Sequence, residues 1–434
     1  MRTALLLWIV VLPMLPPRAW AQPVAAMQDG GAVALPAHLR QQLIARDSLW
    51  ATALRIHYRA LVLDGHLDTP TRMHDENYRF AQRHTAYRAH VDRPRMADGG
   101  LDAAFFAAYV APYYGNGARA VGRARAVLRT IKQQVRAVPT RAALATTAAD
   151  VRRIARSGRT AVLLGLEGGH ALAGSVDTLR AFARAGIRYV TLTHINTNGW
   201  ADSAQDAPRH GGLNARGVRM VQAMNDLGVL VDLAHASDAT FYDALRASRA
   251  PVLVSHSACR RLVPTARNVS DDQLRALARN GGVLMINFFD ALVNPALTAD
   301  VFAAARARLK RQGRSLAYLW DAVYAIKRER NLPGATLRDV VDHIDHAVRV
   351  AGIDHVGLGS DFDGVFDLPR GLDDVTRLPW ITYALLKRGY AARDIYKILG
   401  GNALRVLRQA ERLSIRGLTE TVPLAPPTSI RPHR

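Results

Sequence analysis

Residues 229–257 begin with Val229-Leu230-Val231-Asp232-Leu233-Ala234-His235 and end with Pro251-Val252-Leu253-Val254-Ser255-His256-Ser257. Between them lies Ser237-Asp238-Ala239-Thr240-Phe241-Tyr242-Asp243-Ala244-Leu245-Arg246-Ala247-Ser248. The outer pieces are short, mainly apolar runs, as in strands buried on both faces. The middle piece spaces its apolar residues at helical period behind a Ser-Asp start. A strand, a helix and a second strand at this spacing form a parallel crossover unit. The runs 229–235 and 251–256 each finish on a histidine, His235 and His256.

Working outward, the same rhythm fills the chain from residue 60 onward. Apolar runs fall at 61–68, 103–109, 161–167, 189–194, 229–235, 251–256, 282–289 and 355–361, eight in all. Helices are expected at 175–185, 214–227, 237–248 and 271–279, with Asn214 and Ser237 or Asp238 as N-caps. An α/β fold of eight alternating units predicts a closed (β/α)8 TIM barrel; an open doubly wound sheet is the alternative that the count disfavours. Segment 290–354, between the seventh and eighth runs, is expected to insert two or three helices over one end of the barrel. Two closing helices are expected at 380–388 and 392–412, and an extra N-terminal helix within 36–60. The expected organisation is a signal peptide at 1–21, an extension at 22–60, the barrel domain at 61–415 and a tail at 416–434.

The 434 residues are 49% hydrophobic and 22% charged, which suits a large globular core. Met1-Arg2, the apolar run 4–12 and Ala19-Trp20-Ala21 have the layout of a secretory signal, so export to the periplasm or medium is expected. An uncleaved anchor is the alternative. No later stretch has the length of a membrane span. The single cysteine, Cys259, excludes an internal disulfide and reads as a small buried hydrophobe. The net charge of +22 comes mainly from arginines scattered along helices, with no basic-aromatic cluster or nucleic-acid motif. No nucleic-acid partner is expected.

The last residues of the apolar runs carry the chemistry: His66 with Asp68, Glu167, His194, His235, His256, Asn287 and Asp361. In a (β/α)8 barrel the C-terminal strand ends share one pocket, so these distant residues converge. His66 and Asp68, two apart, can grip one metal. His235 and His256, on consecutive strands, can grip a second, and Glu167 can bridge. Imidazole and carboxylate donors without thiolate suit Zn2+. Two such ions could hold and activate one water. Burying so many ionisable groups without cations would be costly. His74, His84 and His90 read as polar-loop residues, and His343 with His346 as a solvated helix face.

Several motifs resemble the membrane dipeptidase (renal dipeptidase) family. Asp64-Gly65-His66-Leu67-Asp68 is similar to its opening metal motif and Leu166-Glu167-Gly168-Gly169-His170 to its bridging-glutamate motif. Leu192-Thr193-His194 with Trp200-Ala201-Asp202 is similar to its substrate-histidine segment. Asp232 to His235 and Ser255-His256-Ser257 resemble its later metal histidines, Arg267-Asn268-Val269 its carboxylate-binding loop, and Gly359 to Gly364 its last acid motif. These run in family order over about 61–412.

The resemblance implies zinc-dependent hydrolysis of dipeptides, L,L and also L,D, by a hydroxide activated between two zinc ions per chain. It implies metal ligands His66, Asp68, Glu167, His235 and His256, His194 as oxyanion donor, Asp361 as proton carrier and Arg267 as clamp for the substrate carboxylate. A homodimer is also expected from it, whereas the lipid anchor of animal relatives is not. A related amidohydrolase acting on N-acyl amino acids, esters or lactones is the nearest alternative. A non-catalytic protein binding anionic surfaces is the more distant one.

Overall fold

The computed structural model describes residues 35–414. The expected signal peptide and C-terminal tail fall outside the described residues. Among the described residues there are nine strands: β1 Leu63–Leu67, β2 Ala103–Tyr109, β3 Ala142–Leu144, β4 Thr160–Glu167, β5 Ile187–Thr191, β6 Leu230–Asp232, β7 Leu253–Ser257, β8 Val283–Ile286 and β9 Val356–Leu358. All pair in parallel, in the order β2-β1-β9-β8-β7-β6-β5-β4-β3, and a further β2–β4 pairing closes the ring. Eight of them therefore form a (β/α)8 barrel, as the alternation predicted.

The strand missed by sequence is β3. It pairs with Thr160, Ala161 and Val162 at the start of β4, on the edge that β5 takes over from Leu164 onward. It lies outside the ring, and three residues are too few to show a period. Its presence makes 290–354 the insertion between β8 and β9.

That insertion carries helices Asp290–Val293, Ala299–Arg311, Leu319–Glu329 and Leu337–Ala351. The N-terminal segment forms two helices, Ala37–Arg46 and Leu49–His57, rather than one. Asp47 makes the break by accepting the Leu49 amide through its side chain at 2.9 Å. The expected helix 392–412 is interrupted by a π-type turn at Lys397–Gly401. There Gly400 packs against the Leu61 carbonyl so closely that a Cβ would collide with it.

Caps follow the sequence closely. Ser237 accepts the Thr240 amide, and Asn214 accepts those of Arg216 and Gly217. One core lies between the ring and its helices, where residues such as Val162, Leu164, Val190, Val231 and Ile286 meet Phe182, Val221 and Leu277. A second fills the barrel interior and base with Leu63, Phe105, Leu163, Tyr189 and Met285. Both faces of the sheet are covered, which is why its strands read as continuous apolar runs. No helix among the described residues is long and apolar enough to cross a membrane.

Candidate active site

The C-terminal rim gathers the ligand-type residues. His66 lies in β1 with Asp68 just beyond it, Glu167 ends β4, and His256 lies within β7. His194, His235 and Asp361 follow three residues after β5, β6 and β9, so they sit on rim loops rather than on the strands. His235 and Asp361 both adopt left-handed backbone at φ 64°. Such strain in non-glycine residues persists only where surrounding structure imposes it.

Glu167 is the hub. Its Oε2 lies 3.5 Å from His66 Nε2, while its Oε1 lies 3.3 Å from His235 Nε2, 3.5 Å from His256 Nε2 and 3.9 Å from His194 Nε2. Asp68 Oδ2 is 3.5 Å from His66 Nε2. Among the described residues, three groups have donor atoms within ligand reach of one another: His66, Glu167 and His256; Glu167, His194 and His235; and His66, Asp68 and Asp361. The residues expected to divide between two ions thus converge on one carboxylate, and Asp361 also comes within ligand reach.

The imidazoles are held from behind. His66 Nδ1 is 2.8 Å from the Tyr189 hydroxyl, His235 Nδ1 is 3.3 Å from Gln205 Oε1, and His256 Nδ1 is 2.7 Å from Ser255 Oγ. Ser255 donates its one hydroxyl proton to Asp232 Oδ2 at 2.7 Å, so it must accept from His256 Nδ1–H. That leaves His256 Nε2 with a bare lone pair facing the hub. Ser255→Ala is expected to weaken metal affinity about 10- to 100-fold. Chelator-competition titration measures this, and unchanged affinity would show the relay to be idle.

The arrangement fits a metal. His235 Nε2 and His256 Nε2 lie only 3.0 Å apart. Two lone pairs at that distance repel unless a proton or a cation lies between them. Gln205 Oε1 accepts from His235 Nδ1–H, so a proton between the rings would need an imidazolium, and burial with positive neighbours including Arg267 holds both imidazoles well below the ordinary histidine range. His66 Nε2 and Asp68 Oδ1 are buried without hydrogen-bond partners. Burial raises the Glu167 carboxyl to about 7, and the Asp68 charge adds to this. A cation relieves all of these penalties together.

The family model for membrane dipeptidases (peptidase family M19) matches residues 50–419. The chain belongs to the membrane dipeptidase family. This metallo-dipeptidase is 38% identical to dipeptidase tcpJ of Claviceps purpurea over 330 residues, covering 74% of this chain and 69% of that one. Against dipeptidase 3 of Rattus norvegicus it is 32% identical, with 83% and 67% covered. Among solved structures, the probable dipeptidase PvdM of Pseudomonas aeruginosa superposes with a TM-score of 0.76 at 27% identity, covering 85% of this chain and 99% of that one. A metallopeptidase of Rhodobacter sphaeroides, liganded with a phosphinate mimic of the dipeptide L-Ala-D-Ala, gives 0.67 at 25% identity, with 81% and 99% covered.

Around the dipeptidase hub stand the remaining expected residues. Arg267 is buried, and its Nη2 donates to the His256 carbonyl at 2.8 Å while Nη1 has no partner. Burial lowers its guanidinium to about 10, still charged at neutral pH. Asp361 Oδ2 accepts from Asn287 Nδ2 at 3.0 Å. Burial and the nearby Asp68 charge raise the Asp361 carboxyl. Gly364 packs so close to Asp68 and Asp361 that any Cβ there would strike both carboxylates.

Sequence reasoning missed Tyr189, Gln205, Ser255 and Asp232 as supports. Tyr189 fits inside the barrel only because Gly165 lacks a side chain; a Cβ would overlap its ring. The reading of His343 and His346 as a solvated face is corrected by their contacts. His343 is buried and accepts the Cys259 amide at 2.9 Å, and His346 pairs with Asp271 at 2.7 Å. Both anchor the insertion to the barrel. His90, read as a loop residue, accepts the Asp363 amide at 2.9 Å and so helps fix the loop after β9. Cys259 is buried, and burial pushes its thiol up, as expected of an inert side chain.

Proposed function

We propose that this metallo-dipeptidase uses two zinc ions and cleaves L,L and L,D dipeptides. The observation that carries the two-ion reading is the division of the Glu167 oxygens. Oε2 faces His66, beside Asp68, and Oε1 faces His235 and His256. His66 and Asp68 would hold one ion, His235 and His256 the other, with Glu167 between them. Bound zinc supplies Lewis-acid polarisation of the scissile carbonyl and makes a water nucleophile available near neutral pH.

The protein's own groups do the rest. Arg267 offers its unpartnered Nη1 to the substrate carboxylate, as a guanidinium fork suits. His194 stands beside Glu167 to donate to the developing oxyanion. The Asp361 oxygen that Asn287 leaves free receives one proton from the attacking water and passes it to the departing amine. The water oxygen thus joins the carbonyl carbon as the C–N bond breaks, giving two amino acids. A carboxylate clamp sets a length limit of one residue beyond the scissile bond. The phosphinate mimic of L-Ala-D-Ala bound by the Rhodobacter sphaeroides relative supports L,D acceptance. The Met1-Arg2 start, the apolar run and Ala19-Trp20-Ala21 support export of the enzyme.

The test is a panel of L,L and L,D dipeptides, a C-terminal amide and a tripeptide, assayed after chelation and again after zinc. Zinc-restored cleavage of the free-carboxylate dipeptides alone is expected. Cleavage of the amide would remove the Arg267 clamp and favour the broader amidohydrolase reading.

A further inference from the structure

The insertion between β8 and β9 brings aromatic rings to the mouth of the site. Phe366 lies two residues beyond Gly364, where an added Cβ would strike the carboxylates of Asp68 and Asp361. Two residues of chain span at most about 7 Å, so Phe366 belongs to the same rim. It is 66% exposed, unusual for a phenylalanine on a fixed support. Two rings pack against it in T-shaped contacts: Phe289 at 5.4 Å and Tyr324, from the insertion helix Leu319–Glu329, at 4.7 Å. Trp320 of the same helix packs edge-on against Phe289 at 5.5 Å.

The support is clamped by polar contacts. The Asp290 amide donates to the Asp367 carbonyl at 3.1 Å, tying the loop after β8 to the loop after β9. Lys327, also on the insertion helix, reaches Asp290 at 2.7 Å and Asp367 at 3.0 Å. The same loop after β8 starts at Asn287, which holds Asp361. A largely exposed apolar ring is therefore held on the rim, two residues from Gly364.

We propose that Phe366, backed by Phe289 and Tyr324, is a specificity wall that receives an aromatic or large aliphatic side chain of the dipeptide. This deepens the dipeptidase reading and rests on it. Desolvating such a side chain against a rigid ring favours substrates that carry one over Ala-Ala. The role of the insertion is then substrate choice, exerted by placing Tyr324 and Lys327 behind the wall.

The experiment compares kcat/KM for Phe-Ala, Ala-Phe, Leu-Ala and Ala-Ala in the zinc-loaded wild type, Phe366→Ala and Phe366→Leu. For Phe366→Ala, the ratio of kcat/KM for the preferred aromatic dipeptide to that for Ala-Ala is expected to fall about tenfold, mostly through KM, with Phe366→Leu retaining much of the preference. An unmoved ratio in an active variant would overturn the wall while leaving the dipeptidase reading intact. An unmoved ratio with a changed oligomeric state would reassign Phe366 to a contact between copies. A wild type that cleaves no dipeptide would remove both readings together.

Discussion

Glu167→Gln is expected to leave a folded barrel that holds no more than one metal ion per chain and turns over at least about a thousandfold more slowly, a loss of about 4 kcal/mol of transition-state stabilisation. Glutamine preserves the shape but removes the charge that Oε1 and Oε2 present to the imidazoles of His66, His235, His256 and His194. It also replaces one oxygen with an N–H2 group, which donates to a bare Nε2 and so satisfies the site without a cation. Metal analysis by mass spectrometry alongside kcat checks the prediction. Two ions bound as in the wild type would deny Glu167 its bridging place.

The same exchange has a pH signature in the chelated protein. Glu167 moves from an ordinary 4.5 up to about 7 in the fold. Between those values the folded state binds more protons than the unfolded one, so stability falls as pH rises through this window. His66 is also raised well above its ordinary value: burial opposes its charge, but the Glu167 and Asp68 carboxylates outweigh burial. It therefore acts in the same direction at higher pH. Melting temperatures of chelated wild type should drop between about pH 5 and pH 7, and less so in Glu167→Gln. Equal drops would place the titrating group elsewhere.

Asp361→Asn is the second large effect. We expect kcat to fall about 100- to 1,000-fold with KM and metal content near wild type, in the range for loss of a general acid-base group. Asparagine tolerates the left-handed backbone at φ 64° and can still accept from Asn287, so the loop should hold its shape. Full turnover would remove the proton-carrier role. Loss of one metal ion together with activity would make Asp361 a ligand instead, which its reach to His66 and Asp68 allows.

The fold was largely legible because a parallel barrel covers both sheet faces and so writes each strand as an apolar run. Glu167, His66 and His256 were legible for the same reason: an ionisable residue closing such a run is buried, and burial is costly unless a cation or a partner meets it. The supports were not. Tyr189 reads as one more aromatic core residue, and only its approach to His66 across 123 positions gives its hydroxyl a task. Asp232 looks like an interruption of β6 until Ser255 links it to His256. Nothing local to His343 or Lys327 reveals that each meets a partner from another loop. Period and composition report which face is buried, whereas these contacts depend on which loops become neighbours after the ring closes.

Tyr189, Phe105 and Met285 are fully or almost fully buried within the barrel, with the Tyr189 hydroxyl directly beneath His66. The barrel interior beneath the candidate site is therefore filled with side chains. On the proposed reading, a dipeptide and its two product amino acids all pass on the rim side, where Phe366 lies. A wall that favours an apolar substrate will also delay the amino acid that carries the same side chain on its way out, so selectivity and product inhibition should rise together along a substrate series.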